Sequence, residues 1–220
     1  MENPGKETLV QVDADGVALE GALVVPQAAL GIVLFAHGSG SSRLSPRNNF
    51  VARILQQAGL ATLLIDLLTR TEDREYATRF DIPLLTQRLL ATTRWLQQQP
   101  VTGNLPVGYF GASTGAAAAL QAAAVAGSRV AAVVSRGGRP DLAGEDALNA
   151  VRAPTLLIVG GHDDVVIELN RQAYGLLQCR KEMVVVPDAT HLFEEPGTLE
   201  QVAAQASRWF VQHLTPDTAS

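Results

Sequence analysis

The serine of Gly111-Ala112-Ser113-Thr114-Gly115 is the residue of this chain best placed to act as a nucleophile. It stands between an apolar run, Val107–Phe110, and an alanine-rich segment, so a strand, a sharp turn and a helix should meet there. A serine on such a turn has a strained backbone, and its neighbours must be small because other segments pass close by. Glycine on either side meets both demands. Thr114 would open the helix with an unpaired N–H aimed at whatever Ser113 attacks. The chemistry predicted is attack of a hydroxyl on a carbonyl carbon, the developing charge being held by backbone donors.

A hydroxyl needs a base within hydrogen-bond reach, and four histidines compete for that role. His213, near the end of the last helical pattern, reads as a solvated or capping residue, and His162 as part of a turn. His37 reads as a brace for the backbone of Gly38-Ser39-Gly40. His191 lies in a loop after an apolar strand, with no pattern to place it in the core, and is the candidate base. The imidazole in turn needs an acid to orient it and to stabilise its cation. Asp163 and Asp164 both follow the run Thr155–Val159. Asp164 falls at or next to a helix N-cap, which is reason enough for an aspartate, so Asp163 at the strand tip is the candidate.

These residues can meet only if their strands end on one side of a sheet. Leu9–Val12 and Val17–Val25 alternate around Asp13-Ala14-Asp15-Gly16, which predicts an antiparallel hairpin. From there the rhythm changes to continuous apolar runs, at Ile32–Ala36, Ala61–Ile65, Val107–Phe110, Val130–Val134, Thr155–Val159 and Met183–Val186. Such runs mark strands covered on both faces. Between them lie helical spacings at Asn48–Ala58, Leu84–Leu96, Thr114–Ala126, Val165–Leu177 and Leu199–Leu214, with a polar loop at Thr69–Arg79. The alternation predicts one α/β domain over residues 1–220, a mostly parallel, doubly wound sheet with helices on both faces. Ligands of such sheets bind at the carboxyl ends of the strands, where every candidate above is placed.

Taken together, the chain resembles the α/β-hydrolases, and within them the small dienelactone-hydrolase-like group. The resemblance runs from about residue 8 to 214 and rests on His37-Gly38-Ser39-Gly40, the Gly111–Gly115 elbow, Gly160-x-x-Asp163-x-x-Val166 and the late His191. The order Ser113, Asp163, His191 is the order of that architecture. The resemblance implies acyl-transfer chemistry, with hydrolysis of carboxylic esters and thioesters of small soluble substrates, without metal or organic cofactor. It also implies that the loop after the first buried strand supplies a second backbone donor, which by position is Ser39. There is one departure: dienelactone hydrolase itself uses a cysteine nucleophile, whereas Ser113 occupies the elbow here and Cys179 lies elsewhere. A serine peptidase and a non-catalytic binding scaffold of the same fold are the alternatives. A dehalogenase or epoxide hydrolase would need an aspartate at position 113.

Composition narrows the partners. Apolar residues make up 47% and charged residues 18%, with a net charge of −5, which is globular and without a basic tract to follow a nucleic acid. No apolar run approaches the ~20 residues that cross a bilayer. One cysteine excludes an internal disulfide, and Met1–Lys6 lacks the apolar core of a secretory signal, so a cytoplasmic protein is expected. All but two of the 17 basic residues are arginine. Arg136 and Arg139, beside Gly137-Gly138, are the candidates to bind an anionic group on the substrate. The short stretch between the fourth and fifth parallel strands leaves room for one short helix and no cap domain. A dinucleotide fold is disfavoured, because Arg43 stands where Gly38-x-Gly40 would need its third glycine, although Asp66 could mimic a ribose-binding acid.

Overall fold

The structure, a computed structural model, describes residues 5–215. The segment read for a missing leader, Met1–Lys6, lies mostly outside the described residues. Eight strands form one sheet in the order β1-β2-β4-β3-β5-β6-β7-β8. They are β1 Thr8–Asp13, β2 Ala18–Val24, β3 Ile32–Ala36, β4 Ala61–Ile65, β5 Val107–Ala112, β6 Val130–Arg136, β7 Thr155–Gly160 and β8 Lys181–Val186. The first two are antiparallel and β3 to β8 are parallel. The β1–β2 turn is the expected hairpin. Asp15 and Gly16 both have positive φ, and Asp13 Oδ1 accepts the Gly16 N–H at 2.7 Å.

Among the described residues six helices cover the sheet: α1 Pro46–Gln57, α2 Ile82–Gln98, α3 Thr114–Ala126, α4 Glu145–Ala150, α5 Asp164–Leu176 and α6 Thr198–Leu214. α1 and α6 pack together on one face, over a core of Val51, Leu55, Val202, Trp209 and Phe210 with Val33, Phe35 and Phe110 of the strands. α2 to α5 cover the other face, over Leu34, Leu63, Leu85, Leu89, Tyr109 and the buried alanines of α3. The chain runs from β3 outward to β4, then returns to place β5 on the other side of β3. The strand order therefore reverses at β3 and β5, and a crevice opens above their carboxyl ends.

Most boundaries agree with the sequence pattern, and the differences have local causes. α1 starts two residues before the predicted Asn48 because Ser45 caps it, its Oγ accepting the Asn48 N–H, with Pro46 in the first turn. α2 likewise starts at Ile82, capped by Asp81. The polar stretch 69–79 is partly ordered as two 3₁₀ turns, Glu72–Arg74 and Tyr76–Phe80. β6 extends through Ser135 and Arg136, beyond the apolar run Val130–Val134. Between β6 and β7 lie only a 3₁₀ turn, Pro140–Ala143, and the six-residue α4, so no cap domain is inserted between these strands. Among the described residues no helix is long and apolar enough to cross a membrane.

The elbow strand is tied to α2 through a buried phenol. Thr93 Oγ1 donates to Leu89 O at 2.9 Å, so the 2.6 Å contact with Tyr109 is a bond that Tyr109 donates. Burial pushes Tyr109 up to about 12, because the phenolate would lose its solvation, and the Thr93 contact offsets only part of that rise. A raised native value means that this stability is complete below the ordinary value near 10.0 and is lost as pH rises through about 12. The urea midpoint of the wild type should therefore fall between those pH values. Tyr109→Phe should show a smaller fall over the same range.

Candidate active site

Ser113 joins β5 to α3 with φ 51° and ψ −122°, a conformation that non-glycine residues rarely adopt. The elbow glycines are there for space. A Cβ on Gly115 would run into the carbonyl oxygens of Ala36 and His37, and one on Gly111 into the backbone of Ala116. The strained residue is held from β6 and the turn after it. Its N–H donates to Arg136 O at 3.2 Å, and its carbonyl accepts the Arg139 N–H at 3.1 Å. Asn170 of α5, fully buried, donates to Gly138 O at 3.0 Å and so fixes the same turn.

Asp163 and His191 come together as expected: Nδ1 of His191 lies 2.7 Å from Asp163 Oδ2. Asp163, not Asp164, occupies the N-cap of α5, but its carboxylate makes no capping bond. It is committed to the imidazole instead, and Asp164 is the first helical residue. Because an aspartate bonded at Nδ1 favours the tautomer with a proton there, Nε2 is left as the basic nitrogen. The two loops cross closely. His162 N–H donates to Ala189 O at 2.9 Å, and a Cβ on Gly160 would meet the carbonyl oxygens of Ala189 and Thr190.

The His191 loop is held by residues that the sequence pattern did not reveal. Glu195 accepts the Thr190 hydroxyl at 2.6 Å and the Thr190 N–H at 3.0 Å, bonds that hold its carboxyl below the usual range. Phe193, buried with φ 55°, plugs the loop into the core beside α1. Gly137, one residue after the carbonyl that binds Ser113, lies 3.6 Å from His191 Cε1, measured from its ideal Cβ position. Ser113 and His191 thus flank one turn.

The loop after β3 lies against the nucleophile, the ideal Cβ of Gly38 being 3.0 Å from that of Ser113. His37 braces this loop. Nδ1 donates to Gly38 O at 3.0 Å and Nε2 accepts the Leu67 N–H at 3.1 Å, while burial lowers its pKa and keeps it neutral. Asp66 is not left for a ribose: it accepts from Arg43 at the backbone, at 2.6 Å, and at the guanidinium, at 2.5 Å. Ser39 N–H donates to Thr114 Oγ1 at 2.9 Å, so the backbone donor expected of Ser39 is already occupied here. The His162 side chain is exposed, 3.9 Å from Asp188, and His213 stands edge-on to Trp209.

The two candidate arginines have different fates. Arg139 is bonded to both oxygens of Asp141, at 2.9 and 2.7 Å, and its charge is matched there. Arg136 turns inward with 7% exposure, its guanidinium 5.8 Å from the Phe193 ring centre and 3.4 Å from Asn48 Oδ1. It has no carboxylate partner among the described residues. Burial first, and then the neighbouring Arg47, lower its pKa to about 10.

A strained serine between a parallel strand and a helix, with an Asp–His pair on the next loops, is the arrangement of an α/β hydrolase. The profile of the dienelactone hydrolase family matches residues 19–214, and the chain belongs to that family. A dienelactone hydrolase from Anabaena variabilis is 58% identical, with a TM-score of 0.94 over 96% of this chain and 100% of that one. Est1E from Butyrivibrio proteoclasticus, 16% identical with a TM-score of 0.80, covers 93% of this chain and 98% of its own and shares the fold. Two strains of Mycobacterium tuberculosis have a protein 61% identical over 211 residues, provisionally named a phosphoribosyl transferase. The match covers 96% of this chain but 47% of that protein, so the chain spans about half the length of these curated relatives.

The close crossing at Gly160 gives a direct test of how the acid reaches the base. Gly160→Ala should cost about 1–3 kcal/mol in urea unfolding, as overpacking against backbone does. It should also weaken the low-field proton resonance of the His191–Asp163 bond.

Proposed function

We propose that the protein is a serine hydrolase that cleaves carboxylic esters, and by the same steps thioesters, of small soluble substrates in a reducing cytoplasm. The observation that carries this reading is the strained Ser113 together with the 2.7 Å bond between His191 and Asp163. Ser113 Oγ attacks the ester carbonyl carbon as His191 Nε2 takes its proton, and the carbonyl π pair moves onto oxygen. That oxygen is held by donors at the start of α3, where Thr114 stands. The oxyanion re-forms the carbonyl and expels the alcohol or thiol, which takes the proton from His191. Water, deprotonated by the same imidazole, then releases the acid. These steps need no metal or organic cofactor.

Phosphoribosyl transfer is a second reading, raised by the name of the mycobacterial relatives. More than half of each of those proteins lies outside the match, and the name can rest on that part. Incubation with phosphoribosyl pyrophosphate and free bases should release no pyrophosphate above the blank if the hydrolase reading holds.

Exposure to a fluorophosphonate, followed by intact mass and peptide mapping, should give one adduct on Ser113, lost in His191→Ala. No adduct on the folded protein would favour a binding scaffold, and an adduct on Ser39 would move the nucleophile. For the substrate class, Arg136 is the candidate cation that retains no carboxylate. Arg136→Met should raise KM for acidic esters and leave neutral esters alone, while Arg139→Met should change neither. An equal effect of Arg136→Met on both esters would make the guanidinium a brace between α1 and the His191 loop.

A further inference from the structure

The loop after β3 would ordinarily be expected to present Ser39 N–H to the substrate oxygen, yet that N–H is already engaged. It donates to Thr114 Oγ1 at 2.9 Å, in a loop that packs against Ser113. A hydroxyl that accepts one bond keeps its own hydrogen for another. Thr114 Oγ1 donates to nothing among the described residues, although the residue is 4% exposed. Its backbone N–H stands at the first position of α3, where no intrahelical acceptor exists. One residue, next to the nucleophile, therefore brings two unused donors to the place where negative charge develops.

Resting on the serine-hydrolase reading above, we propose that the Thr114 side chain is a catalytic residue, donating its O–H to the oxyanion. Ser39 acts through it. By donating into Oγ1 the Ser39 amide polarises the hydroxyl and fixes its rotor, so that the hydrogen is aimed before substrate arrives. The donor is in place before the reaction and needs no reorganisation as charge appears on the oxygen. Its bond strengthens as a neutral carbonyl oxygen becomes an alkoxide, so the benefit falls on the transition state and on kcat more than on binding.

The test compares Thr114→Val, Thr114→Ala and Thr114→Ser on a short-chain nitrophenyl ester, with a trifluoromethyl ketone as transition-state analogue. Loss of one such donor costs roughly 100-fold in kcat. Val and Ala should show that loss with little change in KM and a parallel loss of affinity for the ketone. Ser should stay near wild type. The Ala variant removes the hydroxyl without adding a branched side chain, and carries the test if Val does not fold. An undiminished or raised kcat in the folded Val or Ala variant overturns the proposal, because the freed Ser39 N–H is then the true donor. Fluorophosphonate labelling separates the two failures. Labelling of Ser113 together with an active Val or Ala variant refutes the role of Thr114 alone, whereas an unlabelled wild type refutes the hydrolase reading and this proposal with it.

Discussion

The positive φ of Ser113 is the constraint on which the remaining geometry depends. A non-glycine residue in that region carries roughly 1–3 kcal/mol of strain and persists only where its surroundings leave no alternative. Here the surroundings are close. The backbone of β3 and the loop after it press on Gly115, α3 presses on Gly111, and β6 and the turn after it bind the N–H and the carbonyl of Ser113 respectively. The alanines of α3 follow from the same requirement. A helix that starts this near the sheet has no room for larger side chains, and Ala116 to Ala119 are fully buried. The strain is therefore maintained by the core as a whole.

A second compromise is made at the acid. Asp163 stands where an aspartate would ordinarily cap α5, and a cap of that kind stabilises a helix by ~1 kcal/mol. The side chain is instead turned to His191 and the cap bond is absent. Local stability yields to placement of the imidazole. The His191 loop is restored to order from elsewhere, by Glu195 gripping Thr190 and by Phe193 buried beside α1. The loop that bears His191 is thus fastened on both sides of it.

Charge is distributed in the same way. Three arginines at the active end are matched: Arg43 by Asp66 and Glu20, Arg47 by Glu194, Arg139 by Asp141. These bonds tie the loops that carry the candidate donors and base. Arg136 is instead a buried cation offered only an amide oxygen and an aromatic ring. A buried charge without a counter-ion is costly unless something supplies one. It lies one strand from the nucleophile, at the register position of Ala112.

The sequence by itself determined the periodicities, and with them the hairpin, the parallel strands and the class of fold. It also determined the glycine-flanked serine and the order of serine, aspartate and histidine, because turns and strand tips restrict residue type locally. What it left open depended on contacts between segments far apart in the chain. The sequence favoured Asp163 over Asp164, but only the crossing of the β7 and β8 loops shows that its carboxylate leaves the helix N-cap unbonded and faces His191. Arg136 and Arg139 read alike, but they stand on opposite sides of the point where β6 ends: one is drawn into the core and the other meets Asp141. The grip of Glu195 on Thr190 and of Ser39 on Thr114 leaves no periodic trace, since each joins loops whose approach is set by the sheet. Local patterns can name the elements and the reactive residue types. The direction of each side chain, and whether its hydrogen bonds are already occupied, was decided by tertiary packing.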